Sequence, residues 1–293
     1  MQRVPKKRKL EPRPTVDPEQ VKLFEDERQR AQIDAEALRN GSLLQVLADD
    51  FLQAFAHVAP LRPVAPCGAR SWGTLCSGSD GCHFVFEAMQ EAYKKVGSGV
   101  RFQQSFACEA NEDNRQWIRA TCGPDVCVFK DIQDMGARQA PCAAHQHQCP
   151  IKGVEVLILG TSCKDLSRFN SGEKKLFFEQ SHSRGGTSQT FRGFIQCVER
   201  LCPPSIVYEN VDSMDDNVSN TTERSSNMYV LMAEMGARAY EAQAFLTDAS
   251  SFGLPARRRR FYIVFIRSSA NLVIALEDAT HFASMLRCGA PSA

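Results

Sequence analysis

No stretch of the 293-residue chain approaches the ~18–20 consecutive apolar residues that cross a bilayer, and the N-terminus lacks the apolar core of a secretory signal. Neither a membrane span nor export by that route is expected, and the protein should be soluble. Excess charge of one sign is also missing: 35 Lys and Arg against 34 Asp and Glu leave a formal +1. Any affinity for nucleic acid must therefore come from local patches rather than from a global field. No internal repeat is visible, which argues against a solenoid. Cysteine, by contrast, is plentiful. The twelve cysteines are scattered through a long chain without an export signal, a usage that favours reduced thiols in the cytosol or nucleus over a disulfide framework. With 43% hydrophobic residues the chain can bury one substantial core, in one or two domains.

Composition divides the chain. Residues 1–15 hold six basic residues against one acid, with prolines at 5, 12 and 14, and read as a disordered basic tail. Pro5-Lys6-Lys7-Arg8-Lys9 resembles a short nuclear localisation signal, which implies a nuclear import receptor as partner and a nuclear location. A tail that merely sticks to nucleic acid or aids solubility has a similar composition. Residues 16–64 form an N-terminal helical segment, charged over Asp17 to Asn40 and then striped with Leu43, Leu47, Phe51, Phe55 and Val58. Residues 65–70 are a Pro/Gly/Cys linker, 71–266 the main domain, and 267–293 a short helix with a tail.

Within 71–266 strands alternate with helices, the signature of an α/β sheet. Trp72 to Cys76 is the first strand, Ser77 to Gly81 a small-residue turn, and Val85, Ala88, Met89, Ala92 and Tyr93 the apolar stripe of a helix. Strand, glycine turn and helix make a cofactor cradle, because glycine lets backbone approach a ligand and the helix start offers free N–H groups. Phe102 to Ala107 is a second strand ending in Cys108-Glu109, where an acid can accept from two ribose hydroxyls. Val126 to Phe129 is a third, ending in Lys130-Asp131-Ile132. Val154 to Leu159 is a buried central strand that breaks at Gly160 and places Cys163 just past its end. Ser205 to Val207 leads into Tyr208-Glu209-Asn210-Val211, and Tyr240 to Phe245 with Phe261 to Ile266 form an antiparallel pair at the sheet edge. Asn170 to Gly186, polar and glycine-bearing, has the length of a mobile lid. Phe191, Phe194, Ile195, Val198 and Leu201 mark a helix stopped by Pro203-Pro204, and Asn227 to Met235 another that ends at Gly236.

One loop stands apart. Cys142, His145, His147 and Cys149 bring four soft ligands into eight residues. Their C-x2-H-x-H-x-C spacing is tighter than that of the usual zinc finger, and a loop rich in Ala, Gln and Pro needs no metal, so none is expected.

A nucleophile, an acid and an arginine cluster, each beside a strand and in that order, resemble a cytosine-5 DNA methyltransferase. That family carries a Pro-Cys loop, a Glu-Asn-Val triplet and a Gly-x-Pro-Gln-x-Arg-x-Arg segment, and Cys163, Glu209 to Val211 and Gly253 to Arg260 match them. Lys164-Asp165-Leu166-Ser167 is similar to the Asn-Asp-Leu-Ser of the de novo branch. Leu75 to Gly81 resembles the family's Phe-x-Gly-x-Gly, with Cys76 in place of Phe and Asp80 in place of Gly, and Lys130-Asp131-Ile132 resembles its Gly-Asp-Ile. Ser162 and Ala256 stand where the family has Pro and Gln. Asn40-Gly41-Ser42 and the following helix resemble the family's last motif moved to the front.

The resemblance implies a class I S-adenosylmethionine-dependent methyltransferase fold, Rossmann-like, with a mostly parallel sheet and an antiparallel edge. It implies S-adenosylmethionine bound by Cys76, Gly78, Ser79, Gly81, Glu109, Asp131 and Ile132, with the Asp131 carboxylate taking the adenine amino group. Cys163 would add to carbon 6 of cytosine, Glu209 would act on ring nitrogen 3 through a carboxyl whose proton affinity is raised by burial, Arg260 would hold the carbonyl oxygen and Arg258 would orient the loop. DNA is the implied partner, flipped base included. No target-recognition domain is evident after Ile266. The alternatives are a catalytically impaired or truncated relative acting as a binding module, and an RNA cytosine-5 methyltransferase, whose Cys-Phe-Thr signature the chain does not carry.

Overall fold

The first strand of the main sheet, β1 (Arg70–Leu75), turns into helix α1 (Cys82–Lys95), and the pattern repeats through β2 (Phe102–Cys108), α2 (Glu112–Thr121) and β3 (Cys127–Phe129). A 3-10 turn at Ile132–Gly136 leads to a hairpin of β4 (Gln139–Pro141) and β5 (Gln148–Pro150). The chain then crosses to β6 (Val156–Gly160), α3 (Gly186–Leu201), β7 (Ser205–Val211), α4 (Asn227–Gly236), β8 (Tyr240–Asp248) and β9 (Arg259–Arg267). The computed structural model describes residues 48, 49, 52, 69–168, 175–178, 186–218, 225–252 and 256–270. The basic tail, most of the N-terminal helical segment, Asn40 to Ser42 and the C-terminal segment after 270 lie outside them.

The seven-stranded sheet has the order β3-β2-β1-β6-β7-β9-β8. Its first five strands are parallel and β9 runs antiparallel to both β7 and β8. This is the class I methyltransferase arrangement expected from the sequence. The chain proceeds outward from β1 to β3, then returns to the other side of β1 as β6, so the topological switch point lies between β1 and β6. Loops leaving the carboxyl ends of those two strands open a crevice there, the usual place for a ligand in such sheets.

The main core lies on one face of the central strands, where Leu157, Leu159, Ile206 and Tyr208 are buried while Val156, Ile158 and Val207 on the opposite face are partly exposed. Leu75, Phe106, Phe129, Met135, Leu157, Phe194, Ile206, Tyr208, Met214, Leu231 and Phe265 are buried in one continuous core. Phe191, Phe194 and Val198 on α3 are buried at the predicted helical spacing. On α1 the stripe is rotated from the expected one: Phe86, Ala88 and Ala92 are buried while Val85 is 43% exposed. Phe86 stacks on Trp72 of β1 with centroids 4.4 Å apart, and the larger aromatic contact sets which face turns inward. Helix starts follow residue chemistry. The Asn111 side chain accepts from the Asn114 N–H at 3.1 Å to open α2, and Ser226 accepts from the Tyr229 N–H at 3.1 Å to open α4.

The stretch expected to be a mobile lid has an anchored centre. Phe178 is buried and stacks on Phe191 at 4.0 Å, its N–H donates to the Asn227 amide oxygen, and Ser188 donates to the Phe177 carbonyl at 2.7 Å. The residues on either side, 169–174 and 179–185, are outside the described set.

Candidate active site

Two adjacent parallel strands carry the expected catalytic pair. Gly160 closes β6 and faces Glu209 of β7 across the ladder, so the loop holding Cys163 leaves the sheet beside the Glu209 carboxylate. The acid is inside β7 rather than past its end, because the strand continues to Val211 against β9. Gly160 leaves the Glu209 carboxylate room: a Cβ there would lie 2.8 Å from Glu209 Oε2, and the carboxylate would have to move aside. Arg260 of β9 pairs with Glu209, Nε to Oε1, at 3.0 Å. The Glu209 side chain is 32% exposed rather than buried as expected. Arg258 is exposed, and its backbone N–H and carbonyl tie the β8–β9 end together through Asp248 and Ala249.

The Cys163 loop is held from three sides. Behind it, Thr161 and Tyr208 hydroxyls are 2.5 Å apart, and the buried Asn210 amide donates to the Thr161 carbonyl and side chain and to Tyr208, while its oxygen accepts from the Val211 N–H at 2.8 Å. Above it, the start of α3 clasps the loop. The Ser162 N–H donates to Thr190 Oγ1, the Asp165 N–H to Thr187 Oγ1, the Thr187 N–H to Asp165 Oδ2, and the Thr187 hydroxyl to the Ser162 carbonyl. In front, Ser213 donates to the Leu166 carbonyl at 2.7 Å, and Arg168 pairs with Asp212 and Asp216. The family's proline would lack the N–H that Ser162 gives to Thr190. Here hydrogen bonds do the stiffening that a ring would otherwise supply. Cys163 itself is half-buried, and its carbonyl accepts from the Leu166 and Ser167 N–H groups.

Asn210, Thr161 and Tyr208 have no assigned role in the sequence reading. The available signal is period two: Tyr208 and Asn210 share one strand face while Glu209 occupies the other. The Asp165–Thr187 clasp joins residues 22 apart, and nothing local announces it.

The second cluster lies at the end of β1. Cys76, at φ 52°, and Gly78, at φ 56°, bend the chain sharply after Leu75. A Cβ on Gly78 or Gly81 would meet nothing within 4 Å, so open space lies before the turn. Ser79 and Gly81 are exposed and Ile132 is buried. Glu109 Oε2 accepts from the Gly78 N–H and Oε1 from the Asn111 N–H, both at 2.7 Å, which fixes the carboxylate while leaving lone pairs on each oxygen. Asp131 accepts from the Gln133 N–H at 2.9 Å. The Cys76 thiol is pushed up to about 12, first by burial and then by the Glu109 and Asp131 carboxylates beside it. Cys76 therefore stays a neutral thiol. Asp80 points away from the open space: Gln104 Nε2 donates to its buried carboxylate at 2.5 Å and the Cys122 thiol approaches at 3.7 Å. Its φ of 55° is one that Asp tolerates better than most residues. An open, acid-lined cradle with a positive-φ glycine fits a cationic sulfonium cofactor carrying a ribose.

The chain is similar to several known proteins. A DNA (cytosine-5-)-methyltransferase named DMT5 from Cryptococcus neoformans var. grubii is 28% identical over 200 residues, covering 67% of this chain and 8% of that protein. Its namesake from Verticillium dahliae is 21% identical over 239 residues, covering 66% of this chain and 10% of that protein. The chain thus spans a tenth or less of the length of these curated relatives. The S. pombe Dnmt2 methyltransferase crystal structure superposes with a TM-score of 0.44 and 14% identity, over 73% of this chain and 54% of that one. The model of the C-5 cytosine-specific DNA methylase family matches residues 73–286, nearly three quarters of the sequence, and the chain belongs to that family.

Proposed function

We propose that the chain is the catalytic domain of a DNA cytosine-5 methyltransferase that uses S-adenosylmethionine. The observation that carries the reading is the pairing of Gly160 with Glu209, which sets the Cys163 loop beside a carboxylate already held by Arg260. Gly78, Glu109 and Asp131 would hold the cofactor, whose sulfonium supplies an electrophilic methyl group when bound. Glu109 offers its remaining lone pairs to the ribose and Asp131 accepts from the adenine amine. Cys76 packs beneath.

Cytosine carbon 5 is a poor nucleophile until a thiolate adds at carbon 6, so Cys163 acts as the covalent catalyst. The clasp between Asp165 and Thr187 and the Asn210 network fix the loop from which the thiol attacks. Glu209 accepts from the exocyclic amine and delivers a proton to nitrogen 3 as charge develops; a flipped base covering the site removes the exposed third of its side chain from water and strengthens both contacts. Arg260 holds Glu209 in place and faces the carbonyl oxygen at carbon 2. Release follows when a base takes the carbon 5 proton, the Cys163–carbon 6 bond breaks and nitrogen 3 returns its proton to Glu209. Pro5 to Lys9 would bring the protein to the nucleus through an import receptor, where DNA is the substrate.

The test is covalent trapping. Duplex DNA carrying 5-fluorocytosine should form a stable adduct with the protein in the presence of cofactor, since fluorine cannot leave as a proton. Cys163→Ser should abolish the adduct and keep binding of the demethylated cofactor product. An adduct with fluorocytosine RNA but not DNA would reassign the substrate, and cofactor binding without any adduct would make the chain a binding module.

A further inference from the structure

We propose that the chain holds a structural zinc ion bound by Cys127, Cys142, His145 and Cys149, at a site separate from the candidate active site. The spacing of the 142–149 loop alone argued against a metal. The fold adds the ligand that the spacing lacked: Cys127 opens β3, and the hairpin of β4 and β5 lies against that strand through an antiparallel bridge between Phe129 and Cys142. The Ala143 N–H donates to the Val128 carbonyl at 2.7 Å, fixing the register. Three sulfurs and one ring nitrogen then lie within 4.8 Å of one another.

The nitrogen–sulfur distances are those of a tetrahedron. His145 Nδ1 is 3.6 Å from the Cys127 sulfur, 3.4 Å from Cys142 and 3.3 Å from Cys149. Zinc bonds of about 2.3 Å to sulfur and about 2.0 Å to nitrogen at tetrahedral angles put the ligand atoms about 3.5–3.8 Å apart. The nitrogen already sits at coordination distance, and the ligand atoms, all within 4.8 Å of one another, need the sulfurs to close by no more than about 1 Å. Cys127, Cys142 and Cys149 are buried and all three are free thiols.

The surroundings are those of a metal ligand set. His145 Nε2 is 3.0 Å from the Pro124 carbonyl, which can only accept, so Nε2 carries the proton and Nδ1 turns a lone pair toward the sulfurs. The Val128 N–H donates to the Cys142 sulfur at 3.3 Å and fixes its direction. His147 stacks on His145, and its Nδ1 is 2.9 Å from the Gln148 carbonyl, which can only accept; that nitrogen therefore carries a proton, so its 3.5 Å approach to the Cys149 sulfur is a donor contact and His147 stays outside the ligand set. Three thiolates and an imidazole in a closed tetrahedron select zinc over harder cations and leave no position for a catalytic water. Binding releases three thiol protons and leaves the centre with one net negative charge. Its role follows from the fold: two three-residue strands outside the main sheet make a hairpin that is marginal alone. The metal staples it to β3, four residues before Asp131.

The full chain, purified without added metal or chelator, should carry about one zinc per molecule by elemental analysis, released when a mercurial blocks its thiols. Exchange with cobalt(II) should give the visible d–d bands of a tetrahedral site and thiolate charge-transfer in the near ultraviolet. Cys127→Ser should weaken the charge-transfer band, His145→Ala should lower affinity at least tenfold, and His147→Ala should keep the metal. Should the Cys127 variant fail to fold, the wild-type cobalt spectrum decides by itself. Protein that lacks zinc, stays empty at micromolar zinc chloride and gives a six-coordinate cobalt spectrum would overturn the proposal. So would loss of the metal in His147→Ala with retention in His145→Ala.

Discussion

Gly160→Ala separates the chemistry of this site from its stability. The new methyl group would sit 2.8 Å from Glu209 Oε2, against about 3.4 Å for an ordinary contact, so the carboxylate must move by roughly 0.6 Å or rotate away. The other neighbours, the Glu209 carbonyl at 3.6 Å and Cβ at 4.0 Å, are undisturbed, so the backbone ladder survives. What is lost is the ion pair with Arg260, whose partners are 32% and 19% exposed, worth about 1 kcal/mol or less after solvent screening. Alanine also restricts the unfolded chain, a gain of about 0.4–1 kcal/mol. Net stability should stay within about 1 kcal/mol of the parent in urea unfolding. Activity should not. A reacting group misplaced by most of an ångström costs about 100-fold in turnover. Single-turnover methyl transfer to a cytosine oligonucleotide should therefore fall about two orders of magnitude, with affinity for the demethylated cofactor unchanged. In a Glu209→Gln background the same alanine should cost little more, because the displaced group is already impaired. Full activity in Gly160→Ala, or a loss of several kcal/mol of stability, would refute the steric argument.

Asn210→Ala should cost about 2–4 kcal/mol in denaturant midpoint analysis, since it strands the buried Val211 N–H and Thr161 carbonyl and leaves a cavity; adduct formation at Cys163 should slow with it. Glu109→Ala should weaken calorimetric binding of the demethylated cofactor at least tenfold, whereas unchanged affinity would move the ribose site elsewhere. Burial raises the Asp80 carboxyl, with Gln104, Thr74, His83 and Cys122 pulling it part way back. Its folded-state value thus exceeds the unfolded one, so it supports the fold below the ordinary aspartate range and that support is lost as pH rises through the folded value. Asp80→Asn, which keeps the bond to Gln104 and tolerates the positive φ, should be more stable by about 1–2 kcal/mol at neutral pH and show a flatter profile across acid pH. A steeper profile in the variant would contradict that account.

The alternation of strands and helices was legible in the sequence because the two periods, 2 and 3.6, are carried by residues a few positions apart. Val156 to Leu159, Phe102 to Ala107 and the α3 stripe declared themselves in this way. Cys163 and Glu209 were also legible, since reactive side chains where aliphatic strands give out are visible without knowing which strands are neighbours. Tertiary structure decided what depends on register and approach. Gly160 meets Glu209 only because β6 and β7 pair in one register. Phe86 rather than Val85 turns inward because Trp72 of β1 stacks on it, and Asp80 turns away from the open space after β1 because Gln104 reaches it from β2. The proposed metal ligands make the clearest case: Cys127 and Cys142 are 15 positions apart, and no local spacing rule joins them. A bridge between β3 and the hairpin brings them together, and such a bridge is a property of the folded sheet, because the contact is long-range and its partner strand is chosen by packing.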